Sequence, residues 1–148
     1  MYKHINSFGL VVAMLLSANT FAADHQIAML DKDSKSNMMV FDPPFLAVNV
    51  GDTISFVAKS PGHNIISRQV PEGAPDFKGE VNKNFTLKLD KEGLYIYECD
   101  LHVMLGMVGM IQVGKATNID AAIASAEKLK KKMAMSSERL DEYLSMAH

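Results

Sequence analysis

The sequence predicts a mainly β protein, a Greek-key β-sandwich followed by two C-terminal α-helices. Three observations carry this. Between about Gln26 and Val113, apolar and polar residues alternate in short runs, the period of strands with one face buried. Turn-forming groups (Pro43-Pro44, Gly51-Asp52, Pro71-Glu72-Gly73 and Asp90-Lys91-Glu92-Gly93) punctuate those runs, as in an antiparallel sandwich. After Gly114 the apolar period becomes that of a helix.

Residues 1–22 read as an export leader. Lys3 and His4 give a short basic start, Phe8 to Leu16 is apolar but too short to anchor in a bilayer, and Ser17 to Ala22 supplies small residues for cleavage after Ala22. The rest, 23–148, is long enough for one domain, with the sandwich over 23–114 and helices over 117–147. No second long apolar stretch follows, so a periplasmic chain without a membrane span, by default a monomer, is expected.

Each element has its own signal. Ile54, Phe56 and Ala58 alternate with Thr53, Ser55 and Val57, and Phe85, Leu87 and Leu89 with Thr86, Lys88 and Asp90. Leu94 and Ile96 alternate with Tyr95, Tyr97 and Cys99. Tyr95, shortly after Gly93, suits a tyrosine corner, although a core tyrosine fits as well. Ile119, Ala122, Ile123 and Ala126 recur at helical spacing behind the start signals Thr117, Asn118 and Asp120. Ser136 or Ser137 caps a second helix with Leu140, Tyr143 and Leu144 as its stripe. Lys128, Lys130, Lys131 and Lys132 fall where positive charge complements the first helix's C-terminal dipole, and read as a solvated helix end in preference to a docking patch.

Without Lys3, 14 basic side chains stand against 17 acidic ones, a formal charge of −3. No general basic surface exists to neutralise phosphates, which argues against nucleic acid. Cys99 is the single cysteine. In an oxidising compartment it can form no internal disulfide, and metal ligation would protect its thiol.

The chemistry concentrates around that cysteine. Cys99, His102 and Met107 place a thiolate, an imidazole and a thioether in one short loop. A second histidine would complete two imidazoles, one thiolate and a weak axial methionine, the donor list of a blue-copper site. His63, in Ser60-Pro61-Gly62-His63-Asn64, is the best candidate, because His25 and His148 lie near the termini. Pro61 stiffens that loop and Gly62 widens its backbone choices. Met104 and Met110 compete with Met107, since filling a core is methionine's usual role. Zinc competes for the metal, but prefers four strong donors. A Cys–His nucleophilic pair is a third reading, without an evident orienting group. Copper leads.

At this point the chain resembles the pseudoazurins, small periplasmic blue-copper cupredoxins. The resemblance runs through Met29-Leu30, Met39-Val40-Phe41, Gly51-Asp52-Thr53, Gly62-His63-Asn64, Pro71-Glu72-Gly73-Ala74, Cys99 to Met107, Val113-Gly114 and the two C-terminal helices. It implies a one-electron carrier, not an enzyme, with one copper held by His63, Cys99, His102 and axial Met107. It implies that Asn64 ties the ligand loops together and donates towards the cysteine sulfur, and that Met39 packs near the exposed ligand histidine. The edge of His102 is then the electron's exit, within a patch ringed by lysines, here Lys32, Lys35, Lys78 and Lys83. Partners implied are copper-containing nitrite reductase, other denitrification reductases and periplasmic cytochromes. Leu101 departs from the family's usual proline, and Val103, Met104 and Leu105 from its usual loop. Glu98 and Glu80 stand at positions that are often basic, which thins the lysine ring. A periplasmic copper carrier with the same donors is the alternative.

Overall fold

The computed structural model describes residues 22–148, so the expected leader lies, apart from Ala22, outside the described residues. In chain order the strands are β1 (Asp24–Lys32), β2 (Met38–Asp42), β3 (Phe45–Val48), β4 (Thr53–Ala58), β5 (Ile65–Gln69), β6 (Lys78–Gly79), β7 (Phe85–Lys88), β8 (Gly93–Glu98) and β9 (Val108–Val113). Helices α1 (Ile119–Lys130) and α2 (Glu138–Met146) follow. One sheet has the order β2-β1-β4-β7, the other β3-β9-β8-β5-β6. The mainly β, two-sheet fold with two C-terminal helices is as expected.

The sheets are mixed, not purely antiparallel. β1 pairs parallel with β4, Asp24 opposite Thr53, and β3 pairs parallel with β9, Phe45 opposite Met110. Turn residues report hairpins between neighbours in sequence, whereas these pairs join strands distant in the chain.

The alternating strands behave as their period requires. Ile54 and Phe56 are fully buried on β4, while Thr86 and Lys88 on β7 are exposed. Between the sheets, Tyr97 meets Phe41 and Phe56 edge-on, with ring centroids 4.8 and 5.2 Å apart, the arrangement aromatic quadrupoles favour. β8 and β9 are buried throughout because both faces are covered. Tyr95, Tyr97 and Cys99 join the sandwich core, while Leu94, Ile96, Val108 and Met110 pack beneath the helices against Ala122, Ala126, Leu129, Leu140 and Tyr143. The pleat therefore turns Cys99 inward at the end of β8. The tyrosine corner is present: the Tyr95 hydroxyl donates to the Lys91 carbonyl at 2.8 Å.

The helices differ from expectation in detail. Asn118 makes no side-chain cap. Its Oδ1 accepts from the Leu94 N–H at 2.6 Å and its Nδ2 donates to the Leu94 carbonyl at 2.9 Å, stapling the start of α1 to β8. Ile123 is exposed, and the buried stripe runs through Ala122, Ala126 and, one turn beyond Ala126, Leu129. Ser137 precedes α2 without a side-chain cap bond. Lys130 bonds Glu127 at 2.6 Å and Asp141 at 2.8 Å, so it links the helices instead of simply meeting solvent at a helix end.

Candidate metal centre

Two loops at one end of the sandwich form the centre. The first leaves β4 and carries His63. Gly62 adopts φ +85°, a left-handed conformation that glycine reaches without strain. The Gly62 N–H donates to Asn82 Oδ1 at 2.6 Å, and the Asn82 N–H donates to the His63 carbonyl at 2.9 Å. On the other side, β1 extends beyond its last pairing with β4, so that the Asp31 N–H reaches Ser60 Oγ at 3.1 Å. The Asp31 carboxylate then meets His63 Nε2 at 2.9 Å.

The second loop holds itself. The Cys99 N–H donates to the Met107 carbonyl at 3.0 Å, His102 N–H to the Cys99 carbonyl at 3.1 Å, and Met107 N–H to the His102 carbonyl at 3.2 Å. A 3-10 turn, Val103–Leu105, fills the interval and ends on Gly106 at φ +85°. A Cβ at Gly106 would lie 2.7 Å from Ser136 Cβ and 2.9 Å from the Met135 carbonyl, so glycine is required twice over. The Ala134 and Met135 N–H groups donate to the Met104 carbonyl at 2.9 and 3.2 Å. Arg139 on α2 donates to the carbonyls of Gly106 (2.8 Å), Met39 (3.0 Å) and Met38 (3.0 Å). The helical tail thus clamps the loop to β2.

These loops bring the donors together. His63 Nδ1 and His102 Nδ1 stand 3.1 Å apart, and Cys99 Sγ lies 3.9 Å from the first and 3.5 Å from the second. Ligand atoms of His63, Cys99 and His102 all fall within 4.8 Å of one another. Cys99 and His63 are fully buried and His102 is half-buried. The three candidate methionines separate clearly. Met107 is buried in the same core cluster as Cys99, Met110 is buried under the helices, and Met104 is 61% exposed.

The surroundings prepare the donors. Asp31 at Nε2 orients His63 with Nδ1 inward and favours the tautomer that leaves Nδ1 free to ligate. Burial, and then the facing His63, hold the His102 imidazole below its ordinary value, against the opposing pull of Asp31. His102 therefore stays neutral, as a ligand must, to lower pH than a free histidine. Asn64 bridges the two loops, its Oδ1 accepting the Asp100 N–H at 3.0 Å. The same oxygen lies 3.5 Å from Cys99 Sγ, within reach of the thiol.

Around the half-buried His102, Leu101, Met104, Leu105 and Met135 are exposed. Lys32 follows Asp31, Lys83 follows Asn82, and Lys78 lies on β6, all three exposed. Met39 sits at φ +51° and packs against the cluster containing Cys99 and Met107. Glu98 needs correction as a surface charge. It is 1% exposed and bonded to Arg68, with its Oε2 unpartnered among the described residues, because its position on β8 faces the helices. Glu80 is exposed. Asp31, Ser60, Asn82 and Arg139 were not picked out from the sequence, since their partners lie 19 or more residues away.

The model of copper binding proteins of the plastocyanin/azurin family matches residues 28–114. A pseudoazurin of Paracoccus pantotrophus is 38% identical over the full length of both chains. The chain belongs to this copper-binding family, in its pseudoazurin branch. A plastocyanin of a Synechococcus strain is 33% identical, covering 71% of this chain and 83% of its own. The crystal structure of native pseudoazurin from Hyphomicrobium denitrificans superposes with a TM-score of 0.73 at 35% identity, covering 84% of this chain and 98% of that one. The chain is thus a blue-copper cupredoxin of the electron-transport type, with copper as its cofactor. A buried thiol facing two inward-turned imidazoles fits that metal on its own chemistry.

Proposed function

We propose that this protein carries single electrons between periplasmic redox proteins, using one copper held by His63, Cys99 and His102 with Met107 as weak axial donor. The observation that carries this reading is the convergence of Cys99 Sγ and the two Nδ1 atoms between loops fixed by backbone hydrogen bonds. Copper, when bound, supplies a one-electron couple. The protein's share is to keep the donors still. Asp31 holds the His63 ring, and backbone bonds of the Cys99–Met107 loop fix the main chain from which His102 extends.

The electron leaves by the edge of His102, amid Leu101, Met104 and Leu105, with Met39 packed nearby. Such a patch suits brief docking, since a small apolar contact releases quickly. Lys32, Lys78 and Lys83 steer acidic partners, and exposed Glu80 weakens that field without abolishing it. By family resemblance the partners are copper nitrite reductase, other denitrification reductases and cytochromes. Residues 1–22 serve as export leader, and 23–148 form the single mature domain.

Voltammetry in the presence of a copper chelator tests the reading against a carrier role. A reversible couple that persists over repeated cycles, with copper retained in both states, is expected. Loss of copper to the chelator in either state would make the protein a copper carrier instead.

A further inference from the structure

Far from the copper loops, Asp52 is a buried carboxylate, 1% exposed. Its Oδ2 accepts from the Asn49 N–H at 3.0 Å and contacts His25 Nε2 at 2.9 Å. Its Oδ1 has a different partner, the backbone nitrogen of Ala23, at 2.9 Å. Ala23 is held a second time, its carbonyl accepting the Thr53 N–H at 2.9 Å. This nitrogen belongs to the residue that follows the expected leader cleavage point, and Ala22 and Ala23 are both exposed.

We infer that removal of the leader at Ala22–Ala23 creates a latch, in which the new α-ammonium of Ala23 pairs with the buried carboxylate of Asp52 and locks β1 into the sandwich. The inference rests on the reading of 1–22 as leader, and is independent of the copper site. An export endopeptidase hydrolyses the Ala22–Ala23 amide with one water. Ala22 leaves with a carboxylate and Ala23 gains an ammonium, so the neutral N–H already aimed at Asp52 becomes a charged donor. The carboxylate already makes this hydrogen bond charge-assisted on the acceptor side; the ammonium adds a unit positive charge facing it and so a direct Coulombic attraction. A buried carboxylate amplifies the gain, because less water competes for it.

The other charged groups leave the latch intact. His25 touches the opposite oxygen from within β1. The segment after β7 packs against Asp52 through the Leu89 N–H to Asp52 carbonyl bond at 2.9 Å, and Lys88 at the end of β7 pairs with Asp90 at 3.4 Å. β1 lies between β2 and β4 in its sheet and carries Asp31 at its far end, so the latch secures the strand that also orients His63.

The mass of the exported protein first shows whether the chain begins at Ala23, and another start would overturn the inference together with the leader reading. Urea unfolding then compares the processed chain with one retaining Phe21-Ala22, each carrying Asp52 or Asp52→Asn. Retaining the two residues should lower the folding equilibrium constant about tenfold with Asp52 present and leave it unchanged with Asp52→Asn, a coupling expected of direct partners. Equal loss in both backgrounds, or none in either, would refute the latch. Should Asp52→Asn fail to fold, the pH dependence of α-amine acylation in the processed chain decides. Its midpoint should lie above the ordinary α-amino range of about 7.7–8.0, and a midpoint within that range would refute it.

Discussion

Replacing Asp31 by Asn should raise the reduction potential by about 40 mV, and the structure supplies the arithmetic. The carboxylate lies 2.9 Å from His63 Nε2, on a side chain 51% exposed against a histidine that is fully buried. An imidazole's width and a metal–nitrogen bond of about 2 Å put that charge roughly 7 Å from the redox centre. At this distance one unit of charge is worth about 2.4 kcal/mol at an effective dielectric of 20 and about 0.6 kcal/mol in bulk water. Half exposure places the value between them, near 1 kcal/mol. For a one-electron couple a tenfold change, about 1.4 kcal/mol, is 59 mV, which gives the figure of about 40 mV. The sign is fixed because the carboxylate favours the more positive, oxidised metal. Asn keeps an oxygen acceptor for His63 Nε2–H, so the visible spectrum should survive. Asp31→Ala removes acceptor and charge together, and should also weaken Cu(II) binding about 10–100-fold. Voltammetry of the three proteins checks this. A shift of less than about 10 mV in Asp31→Asn, or one downwards, would mean that the Asp31 charge does not tune the centre.

Three further outcomes are expected. Asn118→Ala strands the Leu94 N–H and carbonyl, and should cost about 1–3 kcal/mol in a urea titration. The N–H donors of Ala23 and Asn49, with His25, hold the Asp52 carboxyl below its ordinary value. Its contribution should therefore be complete above the unfolded value of about 3.9 and be lost as pH falls below that through the folded one, which Asp52→Asn should abolish in acid unfolding curves. Met107→Leu should keep copper but alter the spectrum and raise the potential, because the oxidised metal loses its axial donor; an identical spectrum and potential would remove Met107 from the ligand set.

Much of this was legible in the chain because it was local. The alternation of Phe85, Leu87 and Leu89 needs only a strand with one covered face, and Cys99, His102 and Met107 share one loop. The double apolar alternation of Leu94 to Cys99 follows from helices covering the outer face of β8. What escaped was tertiary. Asp31 stands among Lys32 and Asp33 and reads as a polar strand end until the fold places it beside His63, 32 residues on. Glu98 reads as a surface charge, yet β8 turns it beneath the helices to Arg68. His25 gave no sign of its partner Asp52, which the parallel pairing of β1 with β4 supplies. Asn118 is a good capping residue by type, and the nearby Leu94 backbone takes its amide instead.

The visible absorption spectrum of the mature protein with Cu(II), taken before and after a mild reductant and again after reoxidation, tests the central claim most directly. An intense thiolate-to-copper band that bleaches and returns, and that is missing in Cys99→Ser, is the predicted result. Bound copper without such a band, or a band unchanged in Cys99→Ser, would contradict the assignment of Cys99 and, with it, of electron transfer.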